Sequence, residues 1–184
     1  MILLKNYTVE QFYMSPPDEE IYTQVFKYIE PNNQIYHVQF KGFWSSPYEK
    51  YLTVKNLITK QPKGWEFDVI DACFGFTPEQ QKNISAYTFF ATMDYVSKDL
   101  LAILEKEKML VREPNFDLME AGVDKLNKFG DILTVDSLAR TYNTTWEEIG
   151  KWTYSKVFSI LMLEKERAEI QEKYQKIIER KNKK

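Results

Sequence analysis

The stretch Thr77–Leu110, TPEQQKNISAYTFFATMDYVSKDLLAILEKEKML, decides the fold. Thr77-Pro78-Glu79-Gln80 offers a cap residue, a proline for the first turn and an acid facing the helix dipole, so a helix opens here. Ile84, Tyr87, Thr88, Ala91, Tyr95, Leu100, Leu101 and Leu104 recur at helical spacing. That pattern predicts one central helix running to Leu110, dense enough in apolar positions to be the core. Its charged end closes before Pro114.

The same punctuation repeats outward from this segment. Ser15-Pro16-Pro17-Asp18-Glu19-Glu20 opens a helix with the stripe Ile21, Val25, Tyr28 and Ile29, stopped by Pro31. Residues 34–44 (QIYHVQFKGFW) alternate weakly and carry β-formers, which predicts a short strand or extended arm with no second strand to pair with. Ser46-Pro47-Tyr48-Glu49 opens a helix to about Thr59 that buries Tyr51, Val54, Leu57 and Ile58. Trp65–Phe74 reads as a short apolar helix ended by Gly75, and residues 116–129 as another with Gly130 at its left-handed cap. The expectation is an all-α, irregular multi-helix bundle, with residues 1–163 forming a single helical domain.

From Tyr154 to Asn182 there is no Gly and no Pro, and the composition passes from apolar (VFSILML) to charged. A helix of that length spans about 43 Å, more than a compact domain of this size is wide. Tyr154, Phe158, Leu161 and Met162 provide a second apolar face only in the first half, so residues 164–184 are expected to project as a C-terminal helix extension. Ile160, Leu163, Ile170, Tyr174 and Ile177 follow a 3-4 spacing in which Arg167 fills the skipped position. One narrow seam is the pattern of a helix meeting a single partner. Ile170, Tyr174, Ile177 and Arg180 are therefore the candidate protein-contact residues. Glu169→Lys173, Glu172→Lys176 and Glu179→Lys183 are spaced for ion pairs worth about 0.2–0.5 kcal/mol each.

Bulk properties narrow the function classes. The chain has 184 residues, 43% apolar and 15% aromatic, enough for one real core. With 25 basic and 27 acidic residues, the net charge of −2 gives no general pull toward nucleic acid or an anionic membrane. The single cysteine, Cys73, excludes an internal disulfide or a Cys-pair zinc site. No apolar run approaches a membrane span, and MILLKNYT is too short for a secretory core, so a soluble intracellular protein is expected. The sequons at Asn6, Asn83 and Asn143 then read as chance matches.

Catalytic readings are thin. His37 is the only histidine, and Tyr36-His37-Val38 suits a packed or surface imidazole. Cys73 between Ala72 and Phe74 reads as a buried small hydrophobe. Asp68 and Asp71 share a helix face and could act as paired carboxylates, but the same spacing describes a solvated side. No glycine loop cradles a phosphate. Neither an enzyme, a metal, a cofactor nor a small-molecule substrate is expected.

Residues 135–152 (VDSLARTYNTTWEEIGKW) resemble a helix-turn-helix. Ala139 stands at the close approach, Asn143 at the usual turn-glycine position, and Ile149 and Trp152 on the buried side. Thr145 with Glu148 fits a capping box. Thr144 replaces the usual apolar residue, and the second helix presents Trp146, Glu147 and Glu148 where a DNA reader presents positive charge. Nucleic acid is therefore not the expected partner.

Ala121–Gly130 (AGVDKLNKFG), Trp146–Ile149 (WEEI) and Tyr154–Phe158 (YSKVF), taken together, resemble small α-helical proteins from the structural-gene regions of tailed bacteriophages, crAss-like phages in particular. The resemblance implies a virion component such as a head-tail ring or adaptor (a connector), or a tail assembly chaperone. It further implies homo-oligomers, partners among other phage structural proteins, and location in the virion and, during assembly, in the host cytoplasm. The rival reading is a helix-turn-helix regulator using residues 135–152.

Overall fold

The central helix begins at Ala86, not at Pro78. The computed structural model describes residues 2–14, 27–112 and 119–182. In chain order these form α1 (Ile2–Asn6), α2 (Val9–Met14), β1 (Gln34–Ile35), β2 (Val38–Gln39), a 3-10 turn (Phe43–Ser45), α3 (Tyr48–Lys60), α4 (Trp65–Phe74), α5 (Pro78–Gln81) and α6 (Ala86–Glu107). A 3-10 turn (Lys108–Leu110), a longer 3-10 stretch (Val123–Phe129), α7 (Ile132–Thr141), α8 (Trp146–Lys151) and α9 (Tyr154–Asn182) complete them. The architecture is mainly all-α, as expected.

Two caps divide the segment read as one helix. Thr77 and Gln80 form the capping box of α5, and Ser85 Oγ accepts from Thr88 N to start α6 afresh. The break is held from a distance. Val9 N donates to Ile84 O at 2.8 Å and Ala86 N to Tyr7 O at 2.7 Å, so the N-terminal segment occupies the backbone groups that a continuous helix would use. Gln81 is buried beside the break and donates through Nε2 to the carbonyls of Phe67 and Phe76.

The core lies where α3, α4 and α6 meet, closed by α7, α8 and the first turns of α9. From α6, Phe89, Met93, Val96, Leu100 and Ile103 enter it. Leu101 is 60% exposed, contrary to expectation, because one residue rotates a helix position by about 100° and Leu100 takes the inward direction. From α3, Tyr51 and Val54 are fully buried, whereas Leu57 and Ile58 pack at the margin. A smaller cluster of Leu4, Phe12 and Ala86 fastens α1 and α2 to the start of α6.

The segment 34–44 supplies its own pairing. Gln34 faces Gln39 and Ile35 faces Val38 in an antiparallel hairpin turned at Tyr36 (φ 50°) and His37. The strand that periodicity did not reveal is the same segment folded back. Beyond it, Gly42 takes φ 84°, and a β-carbon there would lie 3.2 Å from Asp99 Oδ2. That close approach lets Phe43 N donate to Asp99 at 2.7 Å.

Three further expectations change. Ser46 does not cap α3; it is buried, its hydroxyl donates to Gly42 O, and Pro47 takes the cap position. The helix expected over 116–129 is, within the described residues, chiefly a 3-10 stretch whose side chains are exposed, and Gly130 (φ 51°, ψ −131°) is not a left-handed cap. The helix expected from Ser15 falls largely outside the described residues, and at its end Lys27 and Tyr28 form a turn.

Candidate functional site

Helix α9 begins in a fixed frame. Tyr48 N donates to Trp152 O at 2.7 Å and Tyr154 N to Ser46 O at 2.9 Å, a two-bond bridge joining the leads into α3 and α9. Thr153 Oγ1 accepts from Lys156 N, which satisfies one early donor of the helix. The ring of Tyr154 then meets Tyr51 edge-on with centroids 4.7 Å apart and lies near Trp44 and Phe158.

The phenols of this cluster converge on one carboxylate. Tyr51 donates to Glu107 Oε1 at 2.7 Å and Tyr154 to the same oxygen at 3.3 Å. Lys55 Nζ lies 3.6 Å from Glu107 Oε2 and 2.8 Å from Asp131 Oδ1. Burial first, and then Glu107, push the Tyr51 and Tyr154 phenols well above the ordinary tyrosine range. Burial does the same for Tyr48, with the Asp131 carboxylate adding to it and a hydrogen bond with Thr134 opposing it. All three are neutral at physiological pH, and Tyr51 and Tyr154 are the donors to Glu107. The network ties α3, the end of α6, the entry to α7 and the start of α9 into one unit. A cavity of about 410 Å³ opens beside it, lined by Tyr48, Glu107, Asp131, Thr134 and Leu161. Lys55 lies against both carboxylates, closer to Asp131 than to Glu107, and shares its single charge between them.

Beyond this anchor, burial falls away along α9. Tyr154 and Val157 are buried, Phe158, Ile160, Leu161 and Met162 are half-buried, and Leu163, Ile170, Tyr174 and Ile177 are 48%, 64%, 56% and 48% exposed. At about 100° per residue, Ile170 lies roughly 160° around the helix from Tyr154 and 140° from Val157. The apolar seam therefore faces away from the body. Segment Lys108–Arg112 runs along another flank: Lys165 Nζ donates to Met109 O at 2.6 Å, and Arg112 pairs with Glu172. Glu172 is about 200° from Ile170, so that segment leaves the seam open.

The structure thus brings Ile170, Tyr174 and Ile177 onto one exposed strip, with Arg180 exposed beyond them. The expected ion pairs Glu169–Lys173 and Glu172–Lys176 are not formed. Glu172 is taken by Arg112, and Glu169 lies 3.7 Å from Lys165 instead. Lys183 lies outside the described residues.

The helix-turn-helix-like segment is an αα-hairpin. Asn143 adopts φ 48°, Thr145 Oγ1 accepts from Glu148 N, and Leu138, Ala139 and Ile149 are buried. Trp152 is half-buried, with Tyr142 at its edge and Lys156 Nζ 3.6 Å from its centroid. Helix α8 has six residues, and Lys151 is hydrogen-bonded to Glu148. Its exposed first turn presents Trp146, Glu147 and Glu148. The Glu147 carboxyl is held below its ordinary range by hydrogen bonds to its own backbone N–H and to Thr145.

The remaining chemical candidates lie apart. His37 sits exposed at the hairpin tip, and Asp68 and Asp71 lie on the solvent side of α4. Cys73 is buried, its thiol pushed up to about 12 by desolvation. Among the described residues no group of three His, Cys, Asp or Glu is placed to hold a metal ion, and no helix is long and apolar enough to cross a membrane. Sequence reasoning did not find the tyrosine–Glu107 network. Tyr48 and Tyr51 share a face at i, i+3 spacing, but Glu107 lies in a charged run with nothing to single it out. Compared with protein-family models, curated proteins and solved structures, the chain matches none.

Proposed function

We propose that this chain is a non-enzymatic structural or assembly protein that acts through contacts made by α9. One observation carries the reading: a rigidly anchored helix presents Leu163, Ile170, Tyr174 and Ile177 to solvent on the side away from the core. An apolar strip on a helix costs solubility unless something covers it. The tailed-phage setting, as a head-tail connector, another virion component or a tail assembly chaperone, rests on the sequence resemblance alone. Against the regulator reading stand the length of α8 and the acids in its exposed turn, which would meet phosphates.

The test is Ile170→Asp with Tyr174→Asp in the full chain, followed by light scattering and by mass spectrometry of purified virions. The variant should keep its far-UV circular dichroism and lose association. Wild-type chain incorporated in virions marks a virion component; chain confined to infected cytoplasm marks an assembly chaperone. Association unchanged by the two aspartates would overturn the reading.

A further inference from the structure

Resting on the contact role proposed for α9, we infer that its occupant is the same helix of a second copy, laid antiparallel. The charges of residues 164–181 are segregated, with Arg112 already paired to one of the acids, Glu172. Glu164 to Glu172 holds four acids (Glu164, Glu166, Glu169, Glu172) against Lys165 and Arg167. Lys173 to Lys181 holds four bases (Lys173, Lys176, Arg180, Lys181) against Glu179. Side by side in the same direction, two copies would set acid against acid and base against base. Run in opposite directions, each acidic half meets a basic half.

The seam gives the same answer residue by residue. Leu163, Ile170 and Ile177 repeat every seven residues, and Arg167, Tyr174 and Lys181 form the alternating set three or four residues away. A parallel pair would stack Arg167 on Arg167 and Lys181 on Lys181 inside the seam. In the antiparallel pair the two sets face each other. Tyr174 of one copy covers Ile170 of the other, twice, about the two-fold axis, and the alkyl stem of Arg167 lies along Ile177. The flanking positions then set Glu166 of each copy opposite Arg180 of the other. Among the described residues neither Glu166 nor Arg180 has an ion pair or side-chain hydrogen bond, and both are exposed. The like-charge meeting that remains, Lys173 with Lys173 at the axis, has Glu169 one turn away on each helix.

The pairing needs only about 30 Å of helix because the bridge at Thr153 and the tyrosine cluster already hold the first turns, so helix nucleation adds no cost.

The experiment is a charge swap in the full chain, read by sedimentation equilibrium. The wild type should dimerise reversibly. Glu166→Lys or Arg180→Glu alone should raise the dissociation constant about tenfold, and the chain carrying both should return to within about threefold of wild type. Single variants that dissociate with no rescue in the double variant would overturn the antiparallel arrangement. A wild type that is monomeric at all concentrations would overturn the self-pairing. If such a monomer still enters virions, and Ile170→Asp with Tyr174→Asp blocks entry, the contact role stands and only the inferred occupant fails. If those aspartates change nothing, both readings fall.

Discussion

The Tyr51 hydroxyl on α3 donates at 2.7 Å to Glu107 Oε1 at the end of α6, and Tyr154 at the start of α9 reaches the same oxygen. Three helices far apart in sequence are thereby registered on one acceptor. Replacing Tyr51 with Phe keeps the ring and removes the donor. Glu107 retains Tyr154 and Lys55, so urea denaturation should show a loss of about 1–2 kcal/mol rather than unfolding.

The same phenols set an alkaline limit. Their folded pKa values lie above the unfolded value near 10, so the stability they contribute is complete below about pH 10. It is lost as pH rises beyond that, since the unfolded chain ionises first. Thermal unfolding should be level from neutral pH to about pH 9.5 and fall steeply above it. Tyr51→Phe should make that fall shallower. A wild-type melting temperature that stays flat to pH 11.5 would contradict the burial of these groups.

Gly150 of α8 lies against Glu49 of α3, where a β-carbon would meet Glu49 Oε2 at 3.1 Å and its Cβ at 3.2 Å. Alanine gains helix propensity there and loses about as much to crowding. Valine adds two methyl groups against a packed neighbour. Gly150→Val should cost about 1–3 kcal/mol in chemical denaturation, while Gly150→Ala stays within about 1 kcal/mol of wild type.

Truncation after Arg167 removes the seam residues Ile170, Tyr174 and Ile177 but keeps Leu163, Lys165 on Met109 O and every buried residue of α9. It also removes Glu172 from Arg112, an exposed ion pair worth about 0–1 kcal/mol. The shortened chain should unfold within a few degrees of wild type and show less helical ellipticity. Failure to fold would mean that the distal helix belongs to the core.

Local chemistry was readable wherever it acts over a few residues. Gly75 ends α4 in the left-handed region, Asn143 makes the turn between α7 and α8, and Thr145 caps α8, each for reasons contained within one turn of chain. The length of α9, its fading apolar face and its seam at Ile170, Tyr174 and Ile177 likewise follow from spacing alone.

Other features depend on segments meeting from far away. Lys82–Ser85 leaves the helix because Val9 N pairs with Ile84 O and Tyr7 O takes the Ala86 N–H. Ser46 is drawn from capping into the core by Gly42, and Pro47 pairs with Thr153 across the chain. Glu107 becomes the hub of the anchor only when Tyr51 and Tyr154 arrive beside it. Periodicity, caps and charge order determined α3, α4, α7, α8, α9 and the strip that α9 offers. Only the tertiary structure decided where helices break and which way that strip faces, because backbone groups and buried side chains are satisfied by partners that sequence spacing does not record.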